Sequence, residues 1–233
     1  MTSGAYKIWE GVYLVGGPGV THAEDAASFL VDCGEDLVMI DAGAGASAPR
    51  IEQAIRDLGY DPGDIAAIIL THCHIDHIGG APHFVDSFGC SLVIHELDAD
   101  AVETGDPEQT AARIYGVVFP PTPVDVYLKG DEEVLLFGTR EIRCIHTPGH
   151  TPGSLSVCID HRGKRVIFGQ DIHGPFLEMF RSDLRAWRKS MQKLLDLDAD
   201  ILCEGHFGIF TSKERVRSYI EGYLEEYGEQ SMK

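Results

Sequence analysis

Thr71-His72-Cys73-His74-Ile75-Asp76-His77-Ile78-Gly79-Gly80 places three imidazoles and a carboxylate within six residues, directly after the apolar run Ile65 to Leu70. That run has the length of a strand, so the cluster begins where a strand ends. In an extended stretch residues two apart point to the same side, and His72 and His74 can therefore face one ion while Cys73 points away. Asp76 and His77 lie beyond the turn, where the changed chain direction lets them face a second ion. Solvated loops rarely need such density. Imidazole nitrogen and carboxylate oxygen in this number suit zinc, and also iron, manganese or nickel.

Upstream of the cluster, short apolar runs alternate with turns: Val12 to Val15, then Gly16-Gly17-Pro18-Gly19, then Ser28 to Val31 and Leu37 to Ile40. These read as a strand meander. Ser47 stands at an N-cap position, Pro49 suits a first turn, and Ile51, Ala54, Ile55 and Leu58 recur at helical spacing before Gly59. Downstream, Gly79-Gly80 opens a helix expected to run through Phe88, and Ser91 to Ile94 is another strand. Residues 99–126 are the least regular stretch, with Pro107, Pro120, Pro121 and Pro123 interrupting any long element, and a lid or helical insert is expected there. From Val134 the pattern partly repeats. Strands are predicted near Val134 to Phe137, Ile142 to Ile145, Leu155 to Ile159 and Val166 to Phe168, followed by a helix from about Ser182. The last helix is expected to open on a capping box of Thr211 and Glu214, with Val216, Ile220 and Leu224 on one face. No low-complexity tract or flexible linker divides the chain, so residues 1–233 are read as a single domain of two β-then-α halves.

Hydrophobic residues make up 44% and charged residues 24% of the 233, an ordinary globular balance that permits a sizeable core. The net charge of −18 makes the average surface repel nucleic acid and anionic membranes, so neither is expected as a partner. Small anionic substrates stay open, because bound cations would make the site locally positive. Six cysteines occur without a CxxC pair, and they read as reduced, mostly buried thiols. Met1 to Glu10 lacks a basic stretch followed by an apolar run, and no segment approaches membrane-spanning length. A cytoplasmic protein acting on a small molecule is the expectation, with a homodimer compatible with the sequence.

Three further motifs follow the cluster in order. Thr147-Pro148-Gly149-His150-Thr151-Pro152-Gly153-Ser154 carries a histidine in a turn, Val166-Ile167-Phe168-Gly169-Gln170-Asp171 ends an apolar strand on an aspartate, and Ile201-Leu202-Cys203-Glu204-Gly205-His206 ends another on a Gly-His pair. Together with Ile40-Asp41-Ala42-Gly43, they resemble the motif series of the metallo-β-lactamase superfamily. The likeness spans most of the chain. It implies an α/β fold of four layers, an αβ/βα sandwich, with metals at one edge of the paired sheets. Carried over residue by residue, it implies His72, His74 and His150 on a first metal, Asp76, His77 and His206 on a second, and Asp171 bridging. Two cations a few ångströms apart also need a shared anionic ligand to offset their repulsion, which agrees with that allocation.

Departures from the family pattern narrow the expectation. True β-lactamases of this fold lack a bridging aspartate, and flavodiiron proteins carry a glutamate where this chain has His74 and append a flavin domain. Nucleic-acid-processing members carry an inserted domain for which this chain has no room. Glyoxalase-II-like thioesterases and N-acyl-homoserine lactonases share the seven-ligand set. The thioesterases, however, usually have Gly-Asp-Thr-Leu-Phe where this chain has Gln170-Asp171-Ile172-His173-Gly174, which speaks against glutathione thioesters. The expected cofactors are two divalent ions, zinc first, with iron or manganese as alternatives. The expected function is hydrolysis of an activated carbonyl, in an ester, thioester or lactone, by a metal-bridging hydroxide, with Asp76 orienting it and passing a proton to the leaving group. The alternatives are a mononuclear iron persulfide dioxygenase using a facial triad, and a metal-binding module without turnover. Cys73 is assigned to packing, His173 is a candidate substrate contact, and Phe176, Met179, Phe180, Tyr115 and Phe119 are candidates for an apolar pocket. His22, His83, His95, His146 and His161 are assigned structural or surface positions.

Overall fold

The structure, a computed structural model, describes residues 4–230. Among these residues the first half of the chain builds one sheet, ordered as in the sequence: β1 (Tyr6–Trp9), β2 (Val12–Gly16), β3 (Ser28–Asp32), β4 (Leu37–Ile40), β5 (Ile65–Ile69), β6 (Ser91–His95) and β7 (Val126–Leu128). Pairing is antiparallel up to β4 and parallel from β4 to β7. Helices α1 (Ala48–Asp57), α2 (Ile75–Ile78), α3 (Ala81–Phe88), α4 (Glu96–Thr104) and α5 (Ala112–Tyr115) lie in the connections. The second half forms β8 (Glu132–Phe137), β9 (Arg140–His146), β10 (Leu155–His161), β11 (Lys164–Gln170), β12 (Ile201–Glu204) and β13 (Ile209–Phe210), in the order β13-β12-β11-β10-β9-β8. Here β11 and β12 run parallel, joined through α6 (Leu184–Asp196), and α7 (Lys213–Gln230) follows β13.

The layers follow from which faces are apolar. All four residues of β4 are buried, the continuous apolar reading of a strand covered on both faces. Along β12 the period of two is explicit: Ile201 and Cys203 face the layer between the sheets, and Leu202 faces the helices outside. The inter-sheet layer joins Phe29, Val38, Ile40 and Ile69 of the first sheet to Ile142, Val157, Val166 and Phe168 of the second. Phe29 and Phe168 meet across it with ring centroids 5.1 Å apart. On the outer face of the first sheet, Ile51 and Ile55 of α1 and Phe84 of α3 pack with Met39, Ile68 and Leu70. On the outer face of the second, Trp187 and Met191 of α6 with Val216 and Ile220 of α7 pack with Cys158, Ile167 and Leu202. The result is the four-layer αβ/βα sandwich. All six cysteines are free and buried. No helix among the described residues is long and apolar enough to cross a membrane.

Local details refine the sequence reading, and some of them differ from it. The strand β1 was not anticipated, because its residues are exposed or half-buried and carry no apolar run. Ser47 does stand before α1, yet its hydroxyl donates to Asp25 at 2.6 Å and caps no helical N–H. The last helix is capped by Ser212, whose hydroxyl accepts from the Arg215 N–H at 3.3 Å, one residue later than the Thr211 box. Asp183 caps α6, accepting from Arg185 and Ala186 at 2.7 and 3.1 Å. The stretch 99–126 begins inside α4, which ends on left-handed Gly105, and it is packed down by buried Ala112 and Phe119. Thr122 and Asp125 return it to α4 and β6 through backbone bonds to Val102 and Leu92 at 3.1 and 3.0 Å.

Candidate metal centre

Parallel strands in a sheet all present their carboxyl ends at one edge, and loops leaving that edge can converge. β5 delivers His72, His74, Asp76 and His77 there, β11 delivers Asp171, β12 delivers His206, and the turn between β9 and β10 delivers His150. Backbone bonds fix these loops to one another. Leu155 N–H donates to Thr71 O at 2.7 Å, Ala42 to His77 O at 2.6 Å, Ala26 to Asp76 O at 3.1 Å and Ala27 to Gly205 O at 2.7 Å. Close approach also requires glycine at Gly149, where a Cβ would lie 2.3 Å from Cβ of Trp187. That contact seats the His150 turn directly on α6.

The seven donors fall into two groups, and His173 makes a third with Asp171 and His206. One ligand atom from each of His72, His74, His150 and Asp171 lies within 4.8 Å of the others, and the same holds for Asp76, His77 and His206. Asp171 stands between them. Its Oδ2 is 3.5 Å from His150 Nε2, while its Oδ1 is 3.1 Å from His77 Nε2 and 3.3 Å from His206 Nε2. Within the groups, His74 Nδ1 is 2.8 Å from His150 Nε2, and His206 Nε2 is 3.3 Å from both His77 Nε2 and Asp76 Oδ2. So the structure gathers all seven residues singled out in the sequence, in the two sets the resemblance implied.

Two of the imidazoles, His77 and His150, are aimed by their other nitrogen. His77 Nδ1 donates to Asp41 Oδ2 at 2.7 Å, and His150 Nδ1 donates to the Pro175 carbonyl at 2.9 Å. Asp41 in turn accepts from the Thr71 hydroxyl and N–H at 2.7 and 2.8 Å. A ring that donates from Nδ1 turns a lone pair on Nε2 toward the centre, the tautomer a metal needs. His72 Nε2 is buried with no hydrogen-bond partner, which in a protein interior calls for an occupant. The electrostatics agree. Burial, then neighbouring imidazoles, hold His72 and His74 well below the usual histidine range, and burial likewise lowers His150. Burial opposes the charged form of His77, yet Asp171, Asp41 and Asp76 outweigh it and push its pKa well up. His206 is raised to about 10 against burial by Asp171 and Asp76. Asp171, despite burial, is held well below the carboxylate range by His77 and His206. Three imidazoles held neutral by burial, beside buried carboxylates that draw positive charge onto His77 and His206, make a donor set fit for divalent cations.

The centre opens on a cavity of about 340 Å³. Its metal side is His74, Asp76, His150, Asp171 and His206, and its apolar side includes Ile114, Pro175, Leu177 and Phe180. Of the proposed pocket residues, Tyr115 and Phe180 line it. Phe119 is instead buried in the first core, Phe176 packs on Trp187 and Tyr227 with centroids 5.2 and 4.8 Å apart, and Met179 is exposed. Cys73 is buried, as expected for packing, with its thiol donating to Gln109 O. His173 does line the cavity, and its Nδ1 is 3.0 Å from Glu204 Oε1. His22 is exposed, His83 pairs with Glu52 at 2.9 Å, His161 faces Arg140, and His95 stacks on His146 with centroids 3.9 Å apart. The sequence reading assigned no role to Glu204, Asp98 or the Pro175 carbonyl. Glu204 is fully buried, and its Oε2 accepts from the His206 and Phe207 N–H groups at 2.7 and 2.8 Å. Asp98, also buried, accepts from Cys73 N, the Thr151 hydroxyl and Gly153 N, tying the first histidine segment to the His150 turn. A charged residue at the end of an otherwise apolar strand was the available signal for Glu204.

A model of the metallo-beta-lactamase superfamily matches residues 23–206. Among curated proteins, the acyl-coenzyme A thioesterase MBLAC2 of Gallus gallus is 28% identical over 254 residues, covering 97% of this chain and 85% of that protein. An uncharacterised protein of Mycobacterium tuberculosis is 30% identical over 208 residues, covering 81% and 89%. Among solved structures, a metallo-beta-lactamase of Cronobacter sakazakii superposes with a TM-score of 0.84 at 24% identity, covering 99% of this chain and 95% of that one. Native FEZ-1 metallo-beta-lactamase from Legionella gormanii gives a TM-score of 0.82 at 18% identity, covering 98% and 95%. At these identities the two structures bear on the fold alone.

Proposed function

Because this chain belongs to the metallo-beta-lactamase superfamily, we propose that it is a metal-dependent hydrolase of activated carbonyl compounds, with an ester, thioester or lactone as substrate. The observation that carries this reading is Asp171, whose two oxygens face separate donor groups at the floor of one cavity. His72, His74 and His150 would hold one divalent ion, Asp76, His77 and His206 a second, and Asp171 both. Such a pair supplies hydroxide near neutral pH and polarises a carbonyl. The residues do the rest. Asp41 and the Pro175 carbonyl fix the ring orientation of His77 and His150, and the apolar wall of Ile114, Leu177 and Phe180 takes the acyl portion and excludes water. The Asp76 carboxylate lines the cavity, where it would orient the nucleophile and return a proton to the leaving group. The apolar wall and the similarity to an acyl-coenzyme A thioesterase put acyl thioesters first among the three classes.

The test is a panel of acyl thioesters, lactones, aryl esters and phosphodiesters given to enzyme of defined metal content, with and without oxygen. Hydrolysis of at least one carbonyl substrate is expected to proceed equally well anaerobically and to fall by at least about tenfold in His206→Ala. Activity that consumed oxygen with a persulfide, tracked iron and survived His206→Ala would replace the hydrolase with a dioxygenase.

A further inference from the structure

The proposed reaction leaves one group in the cavity without a role. Tyr115 ends α5, the single helical turn inside the 99–126 stretch, and lines the cavity together with Asp76, His150, Asp171 and His206. Its placement is fixed from below. Ile75 N–H donates to Thr110 O at 2.7 Å, and the Cys73 thiol donates to Gln109 O at 3.3 Å, so the segment carrying α5 is bonded to the very residues between the metal-facing histidines and Asp76. Ala112, at the start of the turn, is fully buried. The phenol is within hydrogen-bonding reach of the Asp76 carboxylate, while 39% of the residue stays exposed at the cavity mouth.

What a scissile acyl group lacks in this cavity is a donor. Asp76 and Asp171 offer only acceptor oxygens, and imidazole nitrogens committed to metal offer no hydrogen. His173 is turned onto Glu204 through Nδ1 at 3.0 Å. Among the described residues that line the cavity, Tyr115 alone carries a hydroxyl. A phenol ordinarily titrates at about 10, so at neutral pH the hydroxyl carries the hydrogen a donor needs. We propose that Tyr115 is the substrate-facing donor of this site, its hydroxyl giving a hydrogen bond to an oxygen of the scissile acyl group. This rests on the hydrolase reading for its catalytic consequence, although the binding contact does not depend on turnover.

Tyr115→Phe removes the hydroxyl and keeps the apolar ring. Wild type and variant would be loaded with zinc, assayed with an octanoyl thioester, and titrated calorimetrically with octanoate, the carboxylate product. For the variant, kcat should fall by about 100-fold or more with KM changed by less than about threefold, the usual scale for one donor to a developing oxyanion. Octanoate should bind at least about threefold more weakly, with zinc content unchanged. A kcat within about twofold of wild type would overturn the assignment, as would a loss of zinc matching the loss of activity, which would make the phenol a support for Asp76. If wild type turned over no substrate in the panel, the hydrolase reading would fail by itself. The octanoate titration would then decide Tyr115, with unchanged affinity overturning it.

Discussion

Asp171 and Asp41 show how a buried charge can aim a site. Both are nearly inaccessible, and each meets His77, Asp41 at 2.7 Å on Nδ1 and Asp171 at 3.1 Å on Nε2. Asp171 reads directly from the sequence, since it closes a motif. Asp41 was visible there only as a mark of the fold, because nothing in Ile40-Asp41-Ala42-Gly43 reveals a bond to a histidine in another loop. Its position makes a sharp prediction. In Asp41→Asn the amide can still accept from Thr71, yet it no longer offers a charged acceptor to His77 Nδ1 at 2.7 Å. Metal affinity at the second group should drop by roughly 10- to 100-fold, the usual scale for a lost outer partner of a metal-binding histidine. Titration with a competing chelator measures this. An affinity equal to wild type would mean that His77 holds its orientation without Asp41.

At the scale of elements, apolar periodicity located most strands and helices, and it failed where a cap or an edge was decided by distant partners. Ser47 turned to Asp25, and β1 has no apolar run because it lies at the margin of its sheet. The junction of β6 and α4 gives a prediction of its own. His95 is buried there, stacks on His146 and accepts the Leu97 N–H through Nδ1 at 3.3 Å. Burial, then His146, lower its pKa from 6.5 to about 4, with Glu133 pulling weakly the other way. The unfolded chain takes up this proton near 6.5 while the folded chain resists to about 4, so the unfolded state binds more protons between those values. Stability should therefore be intact above pH 6.5 and decline as pH falls toward 4. In His95→Asn, which keeps a cap acceptor without a titrating ring, urea unfolding should show a pH 7 to pH 5 loss smaller than wild type by on the order of 1 kcal/mol. Parallel declines in the two proteins would remove His95 as the cause.

At the scale of the whole molecule, seven donors in two groups around Asp171 exceed what one four-coordinate ion uses. Protein purified without chelator should carry about two transition-metal ions per chain by elemental analysis, and a firm value of one under metal-replete conditions would defeat the paired site. Both groups draw on loops from both sheets, so metal binding should stabilise the sandwich as a unit. Adding zinc to stripped protein at about a hundredfold over its dissociation constant should contribute about 2.7 kcal/mol per site. It should appear as a single shifted thermal transition, whereas two separate transitions would mean that the halves unfold independently. The sequence by itself located most strands and helices through apolar period and set the His72 cluster at a strand end, while its resemblance to the superfamily implied the four layers, the seven donors and their two sets. Tertiary structure alone decided which carboxylates and carbonyls aim the rings, and that the proline-rich stretch folds back to bring Tyr115 into the cavity with the donors. Those outcomes depend on contacts between residues tens of positions apart, made only when both sheets bury a common layer, and no local pattern encodes them.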